Sequence, residues 1–266
     1  MTAPCAHVCV RGPMRKAVGG RPLNSVVRQL CMEAIAKRAE STWIVNLAIA
    51  VVAEVIYVAG RTLINARVSG ELEVELARTA WRLVFVALYV WLALSTLRRT
   101  RVRKTYAHPL LISAVVLTAV VTPFGGGFIG DRNTLLVFIL ATPIVAIREE
   151  LFYRVILQGS LERVCPPLIA ILLSTALFVP IHIGMQPMTP VGVFQLATSG
   201  VLLGVIYQRT RNILAVVVIH IVLDWLVLGP PVGWADPLLV AIANLVSALA
   251  ALAWWSIDNR KHRLGI

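Results

Sequence analysis

Charge is scarce in this chain of 266 residues: Asp, Glu, Lys and Arg together make up 14%, against about 25% in soluble domains. Hydrophobic residues reach 58% instead. That shortage excludes an ordinary water-soluble globule. The apolar excess runs through most of the sequence, which also excludes a soluble domain on a single anchor. Acidic residues are the scarcest charges, 13 against 25 Lys plus Arg, for a net charge of +12. The basic residues fall in short runs between apolar stretches rather than in one patch. Nucleic acid is therefore excluded as a partner, and membrane lipid is expected in its place.

Other absences narrow the class further. The chain has 4 cysteines, and Cys5, Cys9 and Cys31 of the basic N-terminal segment and Cys165 make no disulfide framework. Cys5-Ala6-His7-Val8-Cys9 lacks the second ligand pair of a zinc tract and reads as free thiols in a tail. Roughly forty polar, basic residues precede the first apolar run, too long a lead for a secretory signal. Period-2 alternation is missing, which argues against a transmembrane barrel. No internal repeat or low-complexity tract is visible. Gly125-Gly126-Gly127 lacks the lysine and flanking elements of a phosphate cradle and reads as a flexible turn.

What is there is a series of eight apolar stretches, each near the ~20 residues that cross a bilayer as a helix. They are Thr42–Ala59, Ala80–Leu97, Pro109–Phe124, Thr134–Leu157, Pro167–Ile183, Val191–Tyr207, Ile213–Leu228 and Leu238–Ile257. The expected fold is all-α: a polytopic transmembrane bundle of about eight spans. Arg and Lys concentrate before the first span, in Leu97–Lys104, at Arg209 and Arg211, and at Arg260, Lys261 and Arg263. The alternate loops are poor in base, and Gly60–Thr79 balances Arg61, Arg67 and Arg78 with Glu71, Glu73 and Glu75. By the positive-inside rule both termini are cytoplasmic. Three parts follow: a basic cytoplasmic N-terminal extension over 1–41, a membrane domain over 42–257, and a basic tail over 258–266. Most tryptophans, Trp43, Trp81, Trp91, Trp234, Trp254 and Trp255 among them, sit near span ends and read as interface anchors.

Ionisable groups at bilayer depth are functional candidates, because they cost several kcal/mol unless paired or solvated. Three clusters stand out. In Arg148-Glu149-Glu150-Leu151-Phe152-Tyr153-Arg154, Glu150 and Arg154 are four residues apart and share a helix face, while Glu149 points about 100° away. Glu149 reads either as an acid/base in a cavity or as part of a charged turn at the span end. In Phe178-Val179-Pro180-Ile181-His182, Phe178 packs under His182 and Pro180 loosens the helix. In His220-Ile221-Val222-Leu223-Asp224 an imidazole and a carboxyl share one face of a very apolar span. They form a neutralised pair or line a water-filled site. Convergence of the three clusters is compatible with their depths but not demanded by them.

Glu-Glu-x-x-x-Arg, Phe-x-x-x-His and His-x-x-x-Asn/Asp, in this order on separate spans, resemble the CAAX protease and bacteriocin-processing (ABI) family, which includes the type-II CAAX prenyl endopeptidase. The resemblance covers roughly Thr134 to Leu228. It implies an intramembrane endopeptidase acting on a membrane-associated peptide or protein, in an integral membrane protein of a bacterial plasma membrane. Glu149 would activate water, His182 would assist, and His220 with Asp224 would orient the substrate or hold the oxyanion. Glu150, Arg154 and Phe178 would be structural support.

The resemblance requires no cofactor. It leaves a divalent metal such as zinc as an option, with His182, His220 and Glu149 as ligands, although a His-Glu-x-x-His signature is missing. The departure is Asp224, where the family's best-known branch has Asn. Two other classes fit the polar groups: a non-catalytic scaffold or immunity-type protein of the same fold, and a proton-coupled transporter. The transporter class predicts an inverted repeat, and the scaffold class predicts normal function after Glu149→Gln.

Overall fold

The structure is a computed structural model that describes residues 23–97, 126–127, 132–183, 188–227, 232–233 and 237–264. The chain divides into two units, Met1–Asn46 and Leu47–Ile266. The described part of the first, residues 23–46, is helical. The second carries the clusters singled out above.

Helix is the only extended element among the described residues. α1 is Leu23–Arg67 and α2 is Glu71–Leu97. α3, Arg132–Glu150, runs on into a π-helical segment, Leu151–Gln158, and an α-turn, Gly159–Leu161. α4 is Pro167–Phe178, closed by a 3₁₀ turn over Pro180–His182. α5 is Pro190–Thr210, α6 is Ile213–Val227 and α7 is Pro237–Leu264. Two short strands, β1 (Gly126–Gly127) and β2 (Val232–Gly233), pair antiparallel, Gly126 opposite Gly233 and Gly127 opposite Val232. Gly126 and Gly127, expected in a flexible turn, thus form one strand of a pair.

Seven of the eight apolar stretches fall on these helices over their described residues, apart from Ile183 at the end of one, and the remaining one, Pro109–Phe124, lies outside the described residues. Among the described residues three helices are long and apolar enough to cross a membrane: Thr42–Arg67, Leu72–Leu94 and Pro190–Thr210, with mean hydropathies of 2.0, 1.4 and 1.6. Pro167–His182, Ile213–Asp224 and Ala241–Ala250 are apolar but shorter. The count of eight and the side on which the termini lie rest on the sequence pattern alone.

The first two helices differ most from the expectation. The span Gly60–Thr79, read as a loop, is helical except for a turn at Val68–Gly70, where Gly70 takes φ 96°. Helix continues there because its charges find partners along it. Glu75 pairs with Arg78 and Arg82, and Arg78 donates to Asn65. Trp81, expected as an interface anchor, also has a packing role. It donates to the Tyr57 carbonyl at 3.0 Å and stacks edge-on against Phe85, so it joins α1 to α2.

The core follows from side-chain size. Tyr57, Phe85, Tyr89, Phe152, Tyr153 and Phe178 are buried and continue from ring to ring across α1, α2, the π segment and α4. Between α4 and α5 the packing uses absence of side chain. A Cβ on Gly200 would meet Thr175 at 2.8 Å, and one on Gly204 would meet Ile171 at 2.9 Å. The spacing of four puts both glycines on one helical face, a small-residue contact that suits helices with no water to exclude. Outward faces are apolar as well, with Val52, Val55, Leu83, Val84 and Leu172 exposed.

Candidate active site

Glu149 and Glu150 close α3, where the α-helical hydrogen-bond pattern gives way to the π-helical one. Such segments are rare and concentrate at functional sites. Every residue from Leu151 to Gln158 is buried, so this segment is gripped by its neighbours on all sides. Arg154, on the π segment, donates from Nε to Glu150 Oε2 at 3.0 Å. Ser174 of α4 holds the same segment by donating to the Tyr153 carbonyl at 2.8 Å, and Arg154 reaches the Ser174 hydroxyl at 3.4 Å.

Glu150 has a second partner. His220 Nδ1 of α6 lies 2.7 Å from Glu150 Oε1. The carboxylate thus takes Arg154 on one oxygen and the imidazole on the other, fixing the His220 ring. The opposite nitrogen, Nε2, stands 3.8 Å from Glu149 Oε2 and 3.5 Å from Asp224 Oδ1. It is Glu150, rather than Asp224, that makes the short contact to His220.

His182 approaches from the other side. Pro180 removes a helical donor, α4 ends at Phe178, and the 3₁₀ turn that follows carries His182 inward. Its Nδ1 donates to the Phe178 carbonyl at 3.0 Å. In the neutral tautomer this leaves Nε2 as an acceptor, 4.0 Å from Glu149 Oε2. The Phe178 ring packs against His182 at 4.6 Å between centroids and against Tyr153 at 5.2 Å, with the Arg154 guanidinium 5.7 Å away.

The structure therefore brings Glu149, Glu150, Arg154, Phe178, His182, His220 and Asp224 to one place. Glu149 is at its centre. Its Oε2 is buried with no hydrogen-bond partner, and both imidazole Nε2 atoms face it. A buried acceptor without a partner is costly in most settings. Asp224 differs from the rest: its side chain is 24% exposed, whereas those of Glu149, Glu150, His182 and His220 are at most 10% exposed.

Three further residues belong to this neighbourhood and were not found from the sequence. Glu54 of α1 is buried and receives Arg148 through both guanidinium nitrogens, at 2.8–3.3 Å. Tyr89 of α2 donates to Glu54 Oε2 at 2.7 Å. The Arg148 guanidinium sits over the Tyr57 ring at 3.7 Å and stands 3.6 Å from Glu149 Oε1. A lone carboxylate in Ala50-Val51-Val52-Ala53-Glu54-Val55-Ile56-Tyr57 was a visible signal, by the same rule that singled out His220.

The metal option fits this geometry poorly. Tetrahedral zinc with bonds of about 2.0–2.1 Å brings its ligand atoms to about 3.3 Å from one another, whereas Glu149 Oε2 lies 3.8 and 4.0 Å from the two Nε2 atoms. Among the described residues no group of three His, Cys, Asp or Glu is arranged to hold a metal ion.

Residues 131–226 match a family model, Type II CAAX prenyl endopeptidase Rce1-like. The match covers about a third of the chain and shows this stretch to be similar to that family. No curated protein and no solved structure matches the chain. The Rce1-like stretch holds α3, the π segment, α4, α5 and nearly all of α6, and so every site residue named from the sequence. Glu54, Tyr57 and Tyr89 lie outside it. The family is one of endopeptidases, and the apolar helices make this chain an integral membrane protein.

Proposed function

We propose that the chain is an intramembrane endopeptidase that hydrolyses a peptide bond of a membrane-associated peptide or protein with a water molecule activated by Glu149. The reading rests above all on Glu149 Oε2, buried, without a hydrogen-bond partner, and 3.8–4.0 Å from two imidazole nitrogens. Those separations exceed a direct hydrogen bond and suit a shared water, which sits about 2.8 Å from each partner.

In this mechanism His182 Nε2 accepts one hydrogen of the water and Glu149 takes the other as a proton. The water oxygen joins the carbonyl carbon, and the carbonyl oxygen becomes an oxyanion. His220 Nε2 and Asp224 face the same point and stabilise that oxygen, each only while carrying a proton. Glu149 then passes its proton to the leaving nitrogen as the C–N bond breaks. One water is consumed, and a new carboxylate and a new amine result. The partial exposure of Asp224 makes its side the one from which a substrate reaches Glu149. The steps use no metal, so hydrolysis is expected to persist after treatment with a chelator.

The surrounding arrangement belongs to the same proposal: about eight spans, both termini in the cytoplasm, and a bacterial plasma membrane as the site of action. The test compares peptide termini in membranes from cells making the wild type or Glu149→Gln. A discrete set of membrane-proximal termini that vanishes with glutamine supports the reading and names the substrate. Unchanged termini, with the folded variant present, overturn it in favour of a non-catalytic scaffold of the same fold.

A further inference from the structure

Helix α1 lies outside the Rce1-like stretch, yet it reaches the site twice. Glu54 takes Arg148, the residue before Glu149, through three contacts of 2.8–3.3 Å. Seven residues later on the same helix, Arg61 donates from Nη2 to the Ile181 carbonyl at 3.1 Å, and Ile181 precedes His182. A spacing of seven is two helical turns, so both arms leave α1 from one face. Both side chains are buried, with Glu54 7% and Arg61 6% exposed. Each arm grips the chain one residue away from a member of the proposed water-binding pair, and neither touches the point where water would sit.

We infer that α1 is a strut that fixes the distance between Glu149 and His182, with Glu54 and Arg61 as positioning residues for hydrolysis. The inference rests on the proposed water chemistry of Glu149. Ser174 and Phe178 already tie α4 to the π segment, and the two arms of α1 add a second connection, next to Glu149 and His182 themselves. Glu149 sits where α3 becomes π-helical, and His182 sits in a 3₁₀ turn after a proline. The helical type changes two residues after Glu149, and His182 sits in a short turn, so a rigid α-helix alongside can span both places. Tyr89 steadies the first arm by donating to Glu54 at 2.7 Å, and the Tyr57 ring carries the Arg148 guanidinium. Arg61 makes a main-chain contact, so its grip survives a change of side chain at Ile181.

A strut differs from a structural tie in what it does to the rate. Misplacing a catalytic group by about 1 Å costs up to about 100-fold in turnover, whereas binding of substrate elsewhere is untouched. The test uses purified full-length protein and a synthetic peptide that spans one of the termini lost in Glu149→Gln. The variants are Glu54→Leu/Arg148→Met, which replaces the buried ion pair by apolar groups of similar size, together with Arg61→Met, Arg61→Lys and Tyr89→Phe. A strut predicts that the double variant and Arg61→Met unfold thermally near the wild type and lose at least about 10-fold in kcat, with KM within a few-fold. Arg61→Lys, which still donates to a carbonyl, recovers part of that loss.

Unchanged kcat in a folded double variant and in Arg61→Met overturns the strut and leaves the reading of Glu149 intact. If the double variant does not fold, Arg61→Met, Arg61→Lys and Tyr89→Phe decide alone. A parallel rise in KM, or Lys and Met behaving alike, counts against positioning. If no terminus depends on Glu149, the reading of the site falls and the strut with it.

Discussion

Glu149 and Glu150 are neighbours in sequence with opposite situations. Glu150 is paired on both oxygens, to Arg154 at 3.0 Å and His220 at 2.7 Å, while Glu149 has one oxygen without a partner. Their amides should therefore behave oppositely. Glu150→Gln leaves Arg154 buried without its counter-ion and is expected to cost about 3–5 kcal/mol, as breaking buried pairs does, seen as a large drop in thermal unfolding temperature in detergent. Glu149→Gln removes only the looser 3.6 Å approach of Arg148, which Glu54 still holds, and leaves that temperature close to the wild type. Asp224 supplies a second contrast. If it serves by donating to an oxyanion, Asp224→Asn, a permanent donor of the same shape, keeps or raises kcat. Asp224→Ala removes the donor and loses about 100-fold or more. Equal activity of the two variants would remove Asp224 from the chemistry.

The pairing of Glu150 with Arg154 was legible from spacing alone, because positions four apart on a helix are neighbours whatever the tertiary fold. The meeting of Glu149 with His182 was not. It depends on where Pro180 ends α4 and on the change of helical type after Glu150. Glu54 was visible as a charge in an apolar run, but nothing in its own segment indicates that its partner lies 94 residues away.

Among the elements, the π segment and the α4–α5 contact carry the site. The π segment is held by Ser174 below Tyr153, and by Gln158, whose amide donates to Glu162 at 2.9 Å and to the Gly204 carbonyl at 3.1 Å. Gly204 thus does two things: it admits Ile171 closely and offers its carbonyl to the π segment. Gly204→Leu is expected to push α5 from α4 and destabilise the protein by about 1–3 kcal/mol or more. Thermal unfolding checks it, and a variant as stable as wild type would show that the two helices can separate freely. The ladder type after Glu150 has no signature in composition, because Leu151–Gln158 would serve equally as an α-helix. Helix ends were misjudged for a related reason. Apolar runs mark what hydrocarbon can hold, and α1 and α2 extend past it on ion pairs such as Glu75–Arg82.

At the scale of the whole molecule, the sequence pattern made an all-helical membrane protein evident, since low charge and repeated apolar runs leave few alternatives. Its expected topology is also testable. Reporter fusions in Leu97–Lys104 and after Arg263 should be active only as cytoplasmic reporters, and one in Gly184–Pro190 only on the opposite face. A fusion in Gly184–Pro190 that reports from the cytoplasm would contradict eight alternating spans. The division of labour within the molecule is less evident from sequence. The Rce1-like stretch holds the candidate catalytic groups, while the helices before it supply Glu54, Arg61 and Tyr89 around them. The most direct test of the central claim is the rate at which purified Glu149→Gln cleaves a peptide that the wild type cleaves, with thermal unfolding measured on both. Water activation by Glu149 predicts a loss of at least about 100-fold, within the range general-base catalysis supplies, at an unchanged unfolding temperature. Cleavage within a few-fold of wild type by the folded glutamine variant would contradict it.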